Sequence, residues 1–247
     1  MPPSASIPSS TGSGANTMQE RKTILSPSLM CMDKLHMADQ LGILSRNFDW
    51  LHYDIMDGHY CKNLALAPSM IRDIRQVTDI PIDVHIMATD PEAFIIDACI
   101  AGGASHISLH PETITTSMFK TINKIHDAGL KAGLVLNPLT TLESVEYILG
   151  RLDILTIMTI DVGFAGQKFI PEVLEKISKA VQIREAHGYH YLIQIDGGCK
   201  KDYYRQLYDA GADAYIVGNA GLFSLDRDNL QHACDMMHEQ FNQAIKE

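Results

Sequence analysis

Trp50-Leu51-His52-Tyr53-Asp54-Ile55-Met56-Asp57-Gly58-His59 reads as a β-strand that runs into a turn. Side chains alternate along a strand, so His52, Asp54 and Met56 share one face and Leu51, Tyr53 and Ile55 the other. A histidine beside a carboxylate is poor core material but half of a metal site. Asp57-Gly58 is a turn signal that ends the strand.

Working outward from this stretch, the same unit recurs. Strand patterns are predicted at residues 23–29, 49–54, 80–86, 105–109, 130–136, 154–159, 191–195 and 214–217. Helices are predicted between them. One is capped by Asp33 and runs to residue 45, and others span 68–76, 115–127, 141–149 and 171–187. A further helix opens at Asp90-Pro91-Glu92, another runs up to Ala210, and the last starts near Asp226. Ala101-Gly102-Gly103-Ala104, Asp127-Ala128-Gly129-Leu130 and Asp209-Ala210-Gly211-Ala212-Asp213 each join a helix to the next strand. Glycine just past a helix end takes the left-handed conformation at little cost, so these are turns at the bottom of the fold. Eight strand–helix pairs without a break in composition predict one (β/α)8 TIM barrel over residues 23–247. A doubly wound open sheet is the second choice; at this length it would need fewer units or a second domain.

The 247-residue chain is 46% hydrophobic and 20% charged, enough to bury a full core. Its formal net charge is −10, with no run of Lys or Arg, which argues against nucleic acid or an anionic membrane surface as partner. A phosphorylated small molecule stays open, because backbone amides at glycine turns bind phosphate without side-chain charge. The five cysteines, Cys31, Cys61, Cys99, Cys199 and Cys234, lack any C-x-x-C spacing and read as reduced thiols. Residues 1–22 begin with a stretch rich in Pro, Ser, Gly and Thr, without the apolar centre of a signal peptide, and read as a disordered lead. No apolar run is long enough to span a bilayer, and a cytoplasmic location is expected.

In such a barrel the chemistry sits where strands end. His52, Asp54, His85 and Asp196 all fall there and form a two-histidine, two-carboxylate set suited to zinc, manganese or cobalt. His106, Ser108 and His110 share a face of the fourth strand and, with Asp161, form a weaker candidate. No acid is expected in register with that histidine pair. Gly163-Phe164-Ala165-Gly166-Gln167, Gly197-Gly198 and Gly218 expose backbone N–H groups on one side of the rim, the usual phosphate seat of this fold. Met56, Met87 and Met158 each fall near a strand end, as core filler or as a dry pocket wall.

Ser26-Pro27-Ser28, the 52–58 and 83–87 strands, Gly163-Phe164-Ala165-Gly166-Gln167-Lys168-Phe169 and Asp196-Gly197-Gly198 together resemble the ribulose-phosphate 3-epimerase family, from residue 24 to about 243. Within it, Ser28-Leu29-Met30-Cys31-Met32-Asp33, Leu109-His110-Pro111-Glu112-Thr113, Phe169-Ile170-Pro171-Glu172 and Gly221-Leu222-Phe223 resemble the members acting on allulose 6-phosphate. The resemblance implies a divalent metal, zinc first, held by His52, Asp54, His85 and Asp196, with Asp54 and Asp196 as the proton-transfer pair. It implies that Ser26, His85 and Asp196 touch a ketose phosphate, in a homo-oligomer. The phosphate would lie against Gly163, Phe164, Ala165, Gly166, Gly197, Gly198, Gly218, Asn219 and Ala220. The implied reaction interconverts D-allulose 6-phosphate and D-fructose 6-phosphate. Ribulose 5-phosphate and xylulose 5-phosphate are the alternative pair, and a non-catalytic sugar-phosphate-binding barrel the alternative class. Three positions depart from the family pattern. Val162 replaces a usual Pro before the glycine loop, Cys61-Lys62 a usual Val-Pro, and Asn219-Ala220 a pair carrying a hydroxyl.

Overall fold

A computed structural model describes residues 21–246 of the chain. Eight parallel strands form one sheet: β1 (Ile24–Pro27), β2 (Leu51–Met56), β3 (Ile82–Met87), β4 (His106–Leu109), β5 (Lys131–Leu136), β6 (Ile154–Met158), β7 (Leu192–Asp196) and β8 (Ala214–Val217). Their spatial order is β1-β8-β7-β6-β5-β4-β3-β2. The remaining seam, between β1 and β2, carries a parallel bridge from Ser28 to His52, so the sheet curls into a barrel. Around it lie α1 (Met37–Asn47), α2 (Met70–Ile74), α3 (Ile95–Gly102), α4 (Met118–Asp127), α5 (Val173–His187), α6 (Tyr204–Ala210) and α7 (Leu230–Lys246). This is the single (β/α)8 barrel that the alternation predicts, not the open sheet.

Period two explains why the strands sit as they do. Leu51, Tyr53 and Ile55 are buried in the same apolar core as Leu41 and Leu44 of α1 and Ile71 and Ile74 of α2. The other face of β2 is turned into the barrel. Gly103, Gly129 and Gly211 follow α3, α4 and α6 with φ of 92°, 79° and 108°, the left-handed stops expected there.

Three local expectations are corrected. Residues 141–149 do not form an α-helix; the connection is made by 3-10 turns at Glu143–Val145 and Leu149–Arg151. Its buried residues Leu142, Val145, Ile148 and Leu149 keep a helix-like apolar spacing, so 3-10 turns bury the side chains that the pattern marks for the core. Asp90-Pro91-Glu92 does not open α3, which begins at Ile95 after a non-helical turn. The Glu92 carboxylate is turned instead to the Ser117 and Thr121 hydroxyls of the next unit. Arg21, expected in the lead, is anchored: its Nη2 donates to Tyr208 O at 2.7 Å, and Nε lies 3.8 Å from Asp213 Oδ1. Residues 1–20 of the expected lead lie outside the described residues. Among the described residues no helix is long and apolar enough to cross a membrane.

Candidate active site

The inner faces of β2, β3 and β7 converge at the C-terminal mouth of the barrel. In the register of β2 and β3, Asp54 faces His85 and His52 faces Asp83. Asp196 ends β7. One ligand atom from each of His52, Asp54, His85 and Asp196 lies within 4.8 Å of the others. His52 Nε2 is 3.3 Å from Asp54 Oδ1, and His85 Nδ1 is 3.3 Å from Asp196 Oδ2. Both nitrogens are buried and have no hydrogen-bond partner. Two buried imidazole nitrogens aimed at two carboxylates form a donor set that fits a divalent cation.

Each histidine is held from behind. His52 Nδ1 meets Asp83 Oδ2 at 2.9 Å, and Gln194 Nε2 donates to the same oxygen at 2.7 Å. Gln194 is held in turn by the hydroxyl of Thr156, which donates to its Oε1 at 2.7 Å. Burial alone would raise the pKa of Asp83, but the hydrogen bond and charge of His52 lower it, so it stands as an ionised acceptor. The hydrogen bond to Asp83 engages Nδ1, so Nε2 is the nitrogen His52 would offer to a cation. Burial likewise opposes a charge on Asp54, yet His52 and His85 pull its carboxyl well below the usual carboxylate range. The reciprocal effect holds for His52 and His85. Burial lowers each, and the facing carboxylates raise each above its ordinary value.

Ser26 on β1 and Ser28, just past its end, lie on the same side of the chain but at different depths. Ser26, expected to touch the sugar, is fully buried with an unpartnered hydroxyl and does not line the cavity. Ser28 lines the cavity, and its Oγ donates to Asp54 Oδ2 at 2.7 Å. The Ser-Pro-Ser phrase contained this signal, because period two carries Ser26 to Ser28 one layer nearer the mouth.

A cavity of about 520 Å³ opens in front of the cluster. Asp54 and Asp196 face it, and Met56, Met87 and Met158 form its apolar wall. Gly163, Phe164, Ala165 and Gly166 line one side. Gly197 and Gly198 line the next, followed by Gly218, Asn219 and Ala220. Gly197 and Gly198 adopt φ of 98° and 61°, and a Cβ there would come within 2.5 Å of Ile160 and 2.8 Å of Phe169. Only glycine fits both the backbone and the space. Lys168 and Lys200 also line the cavity and were not among the expected site residues, although Lys168 belongs to the Gly163–Phe169 phrase; Lys200, just past Gly197-Gly198, carries no pattern of its own. The loop after β2 is tied over this mouth. Asn63 Nδ2 donates to Gly163 O at 2.7 Å, and Asp57 accepts from Thr89 N at 2.8 Å.

The fourth-strand candidate does not assemble as a metal site among the described residues. His106 packs on Trp50 with ring centroids 4.4 Å apart, and His110 turns its Nε2 to His85 Nε2 at 2.9 Å. Contrary to expectation an acid does stand in register with His106, namely Asp83, but its Oδ2 is committed to His52 and Gln194 and no hydrogen bond joins it to His106.

The family model described as the ribulose-phosphate 3 epimerase family matches residues 24–223. Among curated relatives, ribulose-phosphate 3-epimerase 2 of Cupriavidus necator is 38% identical, covering 88% of this chain and 90% of that protein. Ribulose-phosphate 3-epimerase of Synechocystis is 36% identical over 81% of this chain and 87% of its own length. The Bacillus subtilis enzyme of the same name is 35% identical over 82% and 94%. Solved structures with this fold include KGPDC from Streptococcus mutans, with TM-score 0.67, 12% identity, and coverage of 91% and 99%. A mutant tryptophan synthase alpha-subunit from Pyrococcus furiosus has TM-score 0.66, 13% identity, and coverage of 92% and 99%. At those identities the solved structures speak for the barrel alone. The sequence relatives and the family match go further: this chain belongs to the ribulose-phosphate 3-epimerase family and is an isomerase, an epimerase acting on carbohydrates.

Proposed function

We propose that this chain inverts C3 of a phosphorylated 2-ketose. The observation that carries the reading is the pair Asp54 and Asp196, which face one cavity from strands separated in the barrel by β1 and β8. A divalent cation held by His52, Asp54, His85 and Asp196, zinc first with manganese or cobalt as alternatives, would supply Lewis-acid stabilisation of the enediolate charge. The protein's own part is proton transfer. One aspartate takes the proton from C3, leaving its electron pair in the planar enediolate. The other aspartate delivers a proton to the opposite face, and C3 is inverted. A single base would return the proton to the face it came from. Met56, Met87 and Met158 keep water from the intermediate, and the glycine loops after β6, β7 and β8, with Lys168 and Lys200, receive the phosphate.

For the substrate, our reading is D-allulose 6-phosphate interconverting with D-fructose 6-phosphate. It is supported by the phrases that resemble that branch, because they supply Ser28, Met30, Cys31, Phe169 and Gly221 to the cavity lining. The ribulose 5-phosphate and xylulose 5-phosphate pair is the second reading, favoured by the names of the curated relatives. Measuring kcat/KM for both pairs on one preparation decides, and a clear pentulose preference reverses the choice. Asp54→Asn and Asp196→Asn test the mechanism. Each is expected to lower epimerisation at least 100-fold, and retention of most activity in either variant refutes it. The homo-oligomer that the family implies is tested by analytical ultracentrifugation.

A further inference from the structure

Behind His85 lies a second histidine that the proposed reaction does not use. His110 follows β4 and is fully buried, and its Nε2 is 2.9 Å from His85 Nε2. One of these nitrogens must carry the proton and the other must accept it. The opposite nitrogen of His85, Nδ1, has no hydrogen-bond partner and points at Asp196 Oδ2, 3.3 Å away, and Asp54 Oδ1, 3.7 Å away. For Nδ1 to hold a cation it must be unprotonated, so the proton belongs on His85 Nε2 and His110 Nε2 is the acceptor. The His110 proton would then sit on Nδ1, which is buried without a hydrogen-bond partner, 3.8 Å from Glu112 Oε1.

The surroundings hold His110 in place. Its carbonyl accepts from Thr113 N at 3.1 Å and from the Thr113 hydroxyl at 2.8 Å. Its ring lies 4.6 Å from that of Tyr60, tilted by 35°. The Tyr60 hydroxyl donates to Glu112 Oε1 at 2.6 Å, and Asn137 Nδ2 donates to the same oxygen at 2.6 Å. Loops after β2, β4 and β5 thus close on one imidazole.

We infer that His110 is a positioning residue: its Nε2 accepts the Nε2 proton of His85 and so presents the unprotonated Nδ1 of His85 to the cation that the cluster would hold. The arrangement parallels Asp83 behind His52, with a neutral imidazole in place of the carboxylate and the opposite ring nitrogen offered. It rests on the metal reading of the cluster.

The test separates the acceptor from the ring. His110→Phe keeps an aromatic ring against Tyr60 and removes the acceptor. His110→Gln removes the ring and keeps an oxygen that can reach the position of Nε2. Cobalt(II) is titrated into metal-free parent and variants against a chelating dye, with folding followed by thermal melts. His110→Phe is expected to weaken cobalt binding about 10- to 100-fold, and His110→Gln to stay within about threefold of the parent. Binding by His110→Phe within threefold of the parent overturns the inference, as does an equal loss in both variants. Long-range ¹H–¹⁵N spectra of the metal-loaded parent give a second reading that needs no variant. They are expected to show His85 protonated on Nε2 and His110 on Nδ1, and the reverse tautomers overturn the inference. A parent protein that binds no cobalt refutes the metal reading itself, a result distinct from cobalt-binding parent and Phe variant alike.

Discussion

Replacing Ser28 with Ala removes one atom from beside the candidate base. Asp54 and Ser28 are both buried, and the Ser28 hydroxyl at 2.7 Å is the hydrogen bond that the described residues give to Asp54 Oδ2. The other close contacts, from His52 and His85, fall on Oδ1. A hydrogen bond to a buried charged group contributes about 1.5–3 kcal/mol. If that energy fixes the carboxylate where the C3 proton is transferred, its loss appears in the barrier as roughly 10- to 150-fold in kcat. KM should move much less, because the sugar and phosphate contacts stay in place. The assay is steady-state epimerisation at saturating cation, paired with deuterium uptake at C3 in D₂O, which reads proton abstraction directly. Exchange should fall in step with kcat. A kcat within twofold of the parent refutes the placement of Ser28 as the residue that orients Asp54. A thermal melt separates this from unfolding, since a loss of up to about 3 kcal/mol lowers Tm by only about 6–12 °C in a chain of this length.

Three further outcomes are expected. Gly221→Ala would place a Cβ 2.1 Å from the Cys199 carbonyl oxygen, which is backbone and cannot swing aside. A loss of about 3 kcal/mol or more should appear in urea unfolding, and an unchanged midpoint contradicts the packing after β8. Burial works against ionised Asp57, but the Thr89, Tyr60 and His59 amides lower its pKa from the ordinary 3.8 to about 2. A depressed folded-state pKa means this stabilisation is full above about pH 4 and is lost as pH falls toward 2. Asp57→Asn should therefore flatten the stability-versus-pH curve in that window, and identical slopes refute the clamp. Stripping the cation with a chelator should abolish epimerisation and lower Tm relative to protein held at about 1,000 times the cation's Kd. That occupancy is worth about 4 kcal/mol, and equal melts for stripped and loaded protein contradict the donor set.

Much of this protein is legible without coordinates, because a barrel strand is a local object. Alternation in Trp50–His59 assigns His52, Asp54 and Met56 to the inside from sequence alone, and the glycines at 103, 129 and 211 mark where helices stop. The residue types at strand ends then select the rim and the chemistry, and the assembled cluster contains the four side chains so selected. Where local pattern was ambiguous the reading failed. The apolar residues of 141–149 suit a helix by composition and by spacing, and the connection nonetheless folds as 3-10 turns. Asp90-Pro91-Glu92 has the right residues for a helix start, but the hydroxyls that hold Glu92 come from a neighbouring unit.

What only the folded barrel decides is which atom of each side chain faces which partner. Asp83 and Gln194 are 111 residues apart and share one hydrogen bond, and His85 meets His110 across 25 residues. No local periodicity encodes those pairings, and they fix which nitrogen of each histidine is free. Depth is the other tertiary quantity. Ser26 and Ser28 share a face by period two, and the closed barrel decides how deep that face sits: Ser28 lines the cavity and Ser26 is buried away from it. The sequence by itself determined the fold and the set of groups available for chemistry, since both follow from short-range pattern. The geometry that turns two histidines and two carboxylates into a site depends on long-range closure, which brings β7 within reach of β2 and β3.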